Sequence, residues 1–254
     1  MTTASSPSAV PLILGGSTLG NLYRPMTDEQ AHELVDAAWA AGVRHFDTAP
    51  HYGLGLSERR LGAALAGRPR EEFTVSTKVG RLLVPDPDGG GRPDPDGFAV
   101  PATHRRVWDF SADGVRRSLE ESLGRLGLDR VDVVYLHDPD DHWDQAATEG
   151  LPALLRLRDT GVVRSVGVGM NQWRMPARFV RETDVDVVML AGRYTLLEQP
   201  AAAEFLPLCV ERGVDVAVAG VFNSGLLARH DVPDSATYDY GPAPAELLAR
   251  ARRI

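Results

Sequence analysis

Four residues of different chemistry follow short apolar runs in this 254-residue sequence. Asp47, Lys78 and His137 each end such a run, and Tyr52 lies in the loop directly after Asp47. If the three runs are neighbouring parallel strands, which lie about 5 Å apart, the four side chains meet at one rim of a sheet. The spacing therefore predicts a catalytic site that combines an acid, a phenol, an amine and an imidazole.

The four side chains point to proton transfer at a carbon–oxygen bond. A phenol has a pKa of about 10, which is too high for easy proton exchange at neutral pH. An ammonium nearby favours the phenolate, so we expect Lys78 to lower the pKa of Tyr52 while Asp47 holds the amine in place. We expect His137 to donate a hydrogen bond to a carbonyl oxygen of the substrate. Taken alone, Lys78 would also fit an exposed lysine at a strand end.

Other chemistries have weaker support in the sequence. The seven histidines are scattered and there is one cysteine, so no metal site is predicted. Neither a Gly-x-Ser-x-Gly elbow nor a phosphate-binding P-loop occurs. Cys209 lies on an apolar helical stripe and is interpreted as core; a single cysteine suits a reducing cytoplasm, where we expect the protein to act. The net charge of −8 argues against nucleic acid as a partner, and no apolar run reaches the ~18 residues of a membrane span.

The elements that carry these residues alternate between strand and helix. Apolar runs predict seven strands within 10–16, 43–47, 73–78, 131–137, 163–169, 185–190 and 214–219. Thr27 and Gln30 form a capping box before the first helix, and Ser57 is expected to cap the second. Such alternation allows a doubly wound open sheet or a (β/α)8 barrel. Polar residues at several strand ends favour the barrel, because residues 15–20 only half resemble a dinucleotide-binding glycine motif.

The domain organisation is predicted to be simple. Residues 1–9 read as a flexible N-terminal arm and 10–254 as one (β/α)8-type catalytic domain with a long loop over 79–110. Proline, glycine and aspartate dominate that loop, which is expected to be a substrate-side flap anchored by Trp108 and Phe110 or a mobile excursion without a role. The eighth strand and last helix are missing from the pattern, so we expect the natural polypeptide to continue past Ile254.

Residues 42–62, with Asp47 and Tyr52, closely resemble the first signature of the aldo-keto reductases. Lys78 and His137 fall where that family has its other two catalytic residues. The resemblance implies a barrel that binds NADP or NAD across its C-terminal mouth. It implies that Tyr52 exchanges the proton, that Lys78 and Asp47 tune it, and that His137 orients the substrate oxygen while hydride passes between C4 of nicotinamide and the carbonyl carbon.

Segments 166–171, 188–197 and 220–227 are most similar to one branch of that family, the D-threo-aldose 1-dehydrogenases. The insertion that contains Trp108 is also similar to that branch. This resemblance implies a small-molecule substrate, an aldose such as L-fucose or D-arabinose, oxidised at C1 to the lactone. Pyridoxal or a general aldehyde is the alternative substrate. An alternative of another class is a non-catalytic sensor or regulatory subunit that binds nicotinamide nucleotide.

The resemblance also implies binding residues. Those expected at the cofactor are Ser17, Thr18, Leu19, Asp47, Asn171, Tyr194, Val221, Phe222, Asn223, Ser224, Gly225 and Leu226. Those expected at the substrate are His51, Tyr52, Trp108 and His137. An exposed loop position is the alternative for His51, and Asp138, Asp140 and Trp143 could line the pocket or be ordinary loop residues. Many relatives have glutamine where Ala191 stands, so the nicotinamide carboxamide would be held differently here.

Overall fold

A computed structural model describes residues 11–239 and 241–254, so the arm predicted over 1–9 lies outside the described residues. Seven parallel strands form one sheet in the order β1-β2-β3-β6-β7-β8-β9. They are β1 (Ile13–Gly15), β2 (His45–Asp47), β3 (Thr74–Val79), β6 (Val133–His137), β7 (Ser165–Met170), β8 (Val187–Ala191) and β9 (Asp215–Ala219). The sheet curves into a nearly closed barrel, which confirms the predicted (β/α)8-type fold. All seven predicted strands are present.

Helices follow the strands and cover the outside of the barrel. They are α1 (Asp28–Ala40), α2 (Leu56–Leu65), α3 (Ala112–Leu126), α4 (Trp143–Gln145), α5 (Leu151–Asp159), α6 (Arg174–Glu182), α7 (Phe205–Arg212) and α8 (Ala245–Ala251). The capping box of Thr27 and Gln30 is confirmed at α1. The expected cap of α2 is wrong, because Gly55 precedes that helix and the Ser57 hydroxyl instead donates to the carbonyl of Gly16 at 2.7 Å. In the ranges described, no helix is both long and apolar enough to cross a membrane.

The two faces of the strands have different surroundings. Residues such as Phe46, Val75 and Val134 face outward and form the main core with the helices. Their neighbours along each strand face the barrel interior, where Val133, Tyr135 and Met189 form a small apolar cluster. Cys209 is buried in the outer core, as the sequence predicts. This apolar cluster fills part of the barrel interior, next to a polar contact between His45 and Ser76.

Residues 79–110 are more regular than their composition predicts. Strand β4 (Arg81–Pro85) pairs antiparallel with β5 (His104–Trp108) over five register positions, forming a hairpin. An irregular loop is therefore the wrong description of this segment. The two arms are about 20 residues apart in sequence, and the polar turn between them hides their pairing. A further bridge joins Leu22 to Phe98 and fixes the turn to the loop after β1. A short hairpin of β10 (Thr237–Tyr238) and β11 (Gly241–Pro242) precedes α8.

Candidate active site

A buried ion pair joins the ends of β2 and β3. The ammonium of Lys78 donates to Oδ2 of Asp47 at 2.6 Å and to the carbonyl oxygen of Thr48 at 2.9 Å. Only 4% of Asp47 and 2% of Lys78 are exposed. The Ser76 hydroxyl donates to the other oxygen of Asp47 at 2.8 Å. The carboxylate therefore has a partner on each oxygen, and the amine is held in one position rather than reaching to solvent.

Tyr52 lies over this pair, as the sequence predicts. The ammonium of Lys78 is 4.7 Å from the centre of the tyrosine ring. Burial lowers the pKa of Lys78, but the charge of Asp47 and the hydrogen bond to its carboxylate act in the opposite direction and the net shift is upward, so the amine stays protonated. For Tyr52 the balance is opposite to our expectation: burial raises the pKa of the phenol more than Lys78 lowers it. The phenol therefore holds its proton at neutral pH, and Lys78 moderates the cost of releasing it.

Two histidines complete the rim. The ring of His137, at the end of β6, lies perpendicular to Tyr52 with centroids 6.0 Å apart, and the ring of His51 lies 5.5 Å from it. Burial lowers the pKa of His137 well below its usual range and that of His51 to about 2, helped by the positive charge of Arg81. Both rings are therefore neutral. Within the described residues, Nδ1 of each is buried without a hydrogen-bond partner, as expected of groups that meet a polar ligand.

The loop that carries Tyr52 is fixed by a close backbone crossing. Gly53 adopts a left-handed conformation with φ of 61°, and a Cβ added there would lie 2.2 Å from the carbonyl oxygen of Gly20. The next residue, Leu54, is also left-handed, with φ of 54°. Only glycine allows such an approach of two main chains. The crossing fixes the main chain at Tyr52 and Gly53 against Gly20, and with it the point from which the phenol extends toward Lys78.

We predict that Gly53→Ala displaces Tyr52 and lowers kcat/KM by about 10²-fold, the cost of a misplaced catalytic group. Gly67→Ala is the matched control, because Gly67 is also left-handed, with φ of 82°, but has open space around its Cβ position. In both variants the left-handed conformation of alanine lowers the free energy of unfolding by about 1–2 kcal/mol. Steady-state kinetics and denaturant unfolding of both variants measure the difference. Equal activity in the two would contradict a positioning role for the crossing.

The hairpin of residues 79–110 forms a wall of the site. Phe98 is buried in its turn, and its ring packs on His51 at 5.2 Å and on Tyr52 at 6.1 Å. Arg106 donates to the carbonyl oxygen of His51 at 2.9 Å. His51 is therefore partly buried under the hairpin, and the alternative of an exposed loop histidine is wrong. Sequence reasoning missed Phe98 and Arg106, although Phe98 is the sole aromatic residue between 86 and 103.

Trp108 lies at the base of the hairpin. Its ring stacks on Phe110 at 5.8 Å and lies 4.3 Å from the guanidinium carbon of Arg81, with 42% of the residue exposed. The guanidinium in turn forms an ion pair with Asp138, which follows His137. The hairpin is thus held beside the rim through Trp108, Phe110 and Arg81, and its role as a substrate-side flap stays a prediction.

Residues 11–246 match the aldo/keto reductase family model. The chain belongs to this family. A D-threo-aldose 1-dehydrogenase from a Pseudomonas species is 50% identical over 255 residues, which cover 99% of this chain and 78% of that protein. A pyridoxal 4-dehydrogenase from Microbacterium luteolum is 39% identical over 95% of this chain and 75% of that protein. The solved holo form of an aldo-keto reductase from Bacillus halodurans has a TM-score of 0.69 and 27% identity, over 91% of this chain and 68% of that one.

The family resemblance seen in the sequence is confirmed by these matches. This aldo-keto reductase is an NAD(P)-dependent oxidoreductase. Its fold places three of the residues predicted to be catalytic, Asp47, Lys78 and His137, at the carboxyl ends of adjacent strands, with Tyr52 on the loop after Asp47. In barrels of this kind the carboxyl ends of the strands carry the chemistry.

Residues predicted to bind the cofactor lie on the same rim, after the later strands. Asn171 follows β7, Tyr194 follows β8, and residues 220–226 follow β9. Tyr194 and Phe222 are 41% and 58% exposed, so aromatic rings are available to a planar ligand. Asn223 is buried with φ of 47°, and both atoms of its amide lack a partner among the described residues. A buried amide without partners fits a site for a polar ligand such as the nucleotide.

Several other predicted cofactor residues contribute differently. The side chains of Leu19 and Leu226 are buried in hydrophobic clusters, so these side chains face away from any ligand. Ser17 and Thr18 lie at the start of the 3-10 turn after β1, with Thr18 exposed. In the segment after β9, Val221 is exposed and both Ser224 and Gly225 are left-handed. The main-chain N–H groups of Asn223, Gly225 and Leu226 donate to the carbonyl oxygens of Gly220, Phe222 and Asn223, which holds this segment in a compact turn.

The three residues left open after His137 have different environments. The indole of Trp143 packs on Phe179 at 4.6 Å and under Arg178 at 3.6 Å, away from the rim. Asp140 accepts a hydrogen bond from Gln172 at 3.0 Å. Asp138 alone of the three lies at the site, with Oδ2 at 3.6 Å from Nε2 of His137. The ordinary-loop alternative therefore fits Trp143 and Asp140, and the pocket alternative fits Asp138.

Proposed function

We propose that this aldo-keto reductase oxidises an aldose such as L-fucose or D-arabinose at C1 to the lactone, with NAD or NADP as the oxidant. One observation carries the redox chemistry: the Asp47–Lys78 pair is buried directly beneath Tyr52 and next to His137. The 50% identity to a D-threo-aldose 1-dehydrogenase supports an aldose as the substrate. The rings of His51 and His137 are neutral, and Nδ1 of each has no hydrogen-bond partner among the described residues, which supports a substrate rich in hydroxyl groups.

The proposed mechanism assigns one task to each side chain. Tyr52 accepts the proton of the anomeric hydroxyl group, and Lys78 stabilises the phenolate that accepts it. His137 donates a hydrogen bond to the same oxygen, which orients the C1–H bond. A nicotinamide held by Asn171, Tyr194 and residues 220–226 would supply the hydride acceptor for C1, and loss of that hydride together with the hydroxyl proton would turn the C1–O bond into the carbonyl of the lactone. Asp47 keeps Lys78 protonated and in place.

A second candidate substrate is pyridoxal, which the 39% identity to a pyridoxal 4-dehydrogenase favours. The same four side chains would serve oxidation of the cyclic hemiacetal that pyridoxal forms through its hydroxymethyl group, because that reaction also removes a proton from a hydroxyl group and a hydride from its carbon. A non-catalytic sensor of nicotinamide nucleotide has less support. Burying a charged pair beneath a tyrosine costs desolvation free energy. Proton transfer by the tyrosine requires that pair, whereas nucleotide binding alone does not.

The test is a substrate comparison with the purified protein. We predict that L-fucose and D-arabinose are oxidised with a kcat/KM at least about tenfold above that for pyridoxal, a difference of about 1.4 kcal/mol in transition-state binding. Absorbance of the reduced cofactor with NAD+ and with NADP+ gives the rates, and mass spectrometry identifies the lactone. Faster turnover of pyridoxal than of either aldose would make pyridoxal the preferred substrate. Nucleotide binding without turnover of either would favour the sensor.

A further inference from the structure

An ion pair outside the four proposed catalytic residues lies against His137. Arg81 begins β4 of the hairpin, and Asp138 follows the last residue of β6. Nη2 of Arg81 donates to Oδ2 of Asp138, and the same carboxylate oxygen is 3.6 Å from Nε2 of His137. The proposed mechanism uses neither residue of the pair. Its position next to the residue that faces the reacting oxygen gives it access to the neighbouring part of a substrate.

Asp138 is held in an unusual backbone conformation. Its φ is 44°, in the left-handed region that residues other than glycine seldom adopt. Its N–H donates to the carbonyl oxygen of Gly169 at 3.0 Å, which ties the turn to β7. Strain of this kind persists where the surroundings fix it, and it is concentrated at functional positions. The turn directs the carboxylate toward Arg81 and His137 instead of toward solvent.

Arg81 is fixed on two sides and keeps a donor free. The ring centre of Trp108 lies 4.3 Å from the guanidinium carbon of Arg81, and the carboxylate of Asp138 accepts a hydrogen bond from Nη2. Its Nε is buried and has no partner among the described residues. A buried N–H without a partner is costly unless a ligand or water satisfies it. The pair therefore offers a guanidinium donor and a carboxylate acceptor side by side.

We propose that the Arg81–Asp138 pair binds the hydroxyl group on the carbon next to the reacting carbon. This inference rests on the proposed function, since it names how the substrate of that reaction is recognised. A hydroxyl group both donates and accepts, so a carboxylate and a guanidinium satisfy it completely. His137 takes the reacting oxygen, and the vicinal oxygen of the substrate then lies within reach of the adjacent pair. The ligand class is a 2-hydroxy carbonyl compound or its cyclic form.

Burial and the neighbouring charges together set the pKa of the Asp138 carboxylate. Burial raises the pKa of Asp138 to about 6, while Arg81 and Lys78 lower it and Asp140 raises it. His137 and His51 are neutral and add no charge. Asp138 is therefore ionised at neutral pH and becomes protonated as the pH falls below about 6. Binding of a vicinal hydroxyl through the carboxylate weakens over that range.

The test crosses enzyme variants with matched substrates. D-Arabinose and 2-deoxy-D-ribose differ only in the C2 hydroxyl group. In Asp138→Asn we expect kcat/KM for D-arabinose to fall by about 10²-fold and that for 2-deoxy-D-ribose to change by less than about threefold, because only the first substrate uses the carboxylate. Asparagine keeps the shape of aspartate and tolerates a left-handed φ, so the variant should fold. Asp140→Asn is the matched control and should leave both substrates unchanged.

The pH profile and a second substrate pair make the result unambiguous. We expect the wild-type kcat/KM for D-arabinose to fall more steeply with decreasing pH below about pH 6 than above it, and this added steepness to be absent in Asp138→Asn and with 2-deoxy-D-ribose. Reduction of lactaldehyde against propanal tests the same preference without an aldose. If the wild type oxidises no aldose, the proposed function fails while the lactaldehyde preference still tests the pair. Equal losses on hydroxylated and deoxy substrates would overturn the inference.

Discussion

Replacement of Tyr52 by phenylalanine should lower kcat by about 10²–10⁴-fold, the range that a positioned acid or base contributes. The substitution removes only the hydroxyl group. The ring still packs on Phe98 and His137, so the melting temperature and the dissociation constant of the nucleotide should remain those of the wild type. Steady-state and single-turnover kinetics, together with nucleotide titration and thermal unfolding, measure these quantities.

The pH dependence gives this prediction a second observable. Burial raises the pKa of Tyr52, so the phenolate that accepts a proton becomes more populated as the pH rises. Aldose oxidation by the wild type should therefore accelerate with pH, and the Tyr52→Phe variant should lose that dependence. Tyr23→Phe removes the hydroxyl group of a residue that is 48% exposed and serves as the control. An unchanged kcat in Tyr52→Phe would remove the phenol from the mechanism.

Replacement of Lys78 by methionine should affect both folding and catalysis. Methionine has a similar length, but it leaves the carboxylate of Asp47 buried without its cation. Loss of one partner of a buried ion pair costs about 3–5 kcal/mol of the free energy of unfolding. Turnover should also fall, because the phenolate of Tyr52 loses the charge that stabilises it. Urea denaturation and steady-state kinetics check the two effects separately.

A double-mutant cycle separates the ion pair from side-chain packing. Adding Asp47→Asn to Lys78→Met removes the unpaired charge, so the double variant should be more stable than Lys78→Met alone, although it should remain inactive. Arg116→Met is the control at the surface, where the arginine side chain is 60% exposed and pairs with Asp113 and Glu120. Exposed pairs contribute about 0–1 kcal/mol. A loss of stability in Lys78→Met no larger than in Arg116→Met would contradict the proposed burial of the pair.

The rim residues were predictable from the sequence because strand patterning is local. Each of Asp47, Lys78 and His137 comes at the end of an apolar run, and parallel strands bring such ends together whatever the intervening helices are. The number of strands followed from the same runs, since strands covered on both sides are nearly continuous in apolar residues. The prediction therefore depended on short segments and one topological rule.

The features that sequence reasoning missed depend on distant contacts. The pairing of β4 with β5 joins residues separated by a polar turn. The sequence of each strand does not indicate which segment it pairs with. Ser57 has the composition of a helix cap, but contacts with Gly16 and Thr48 decide its role. The net direction of the pKa shift of Tyr52 is also a tertiary property, because it is a balance between burial and the charge of Lys78.

The hairpin enters the chain as one continuous insert, between the end of β3 and the start of α3. Phe98, Arg81 and Trp108 all belong to it, whereas the proposed proton-transfer residues belong to the barrel and to the loop after β2. Substitutions in the hairpin can therefore change which substrates fit the site without changing the residues proposed to transfer the proton. For an engineer, grafting this insert from a relative would be a route to new substrates that leaves the barrel strands as they are.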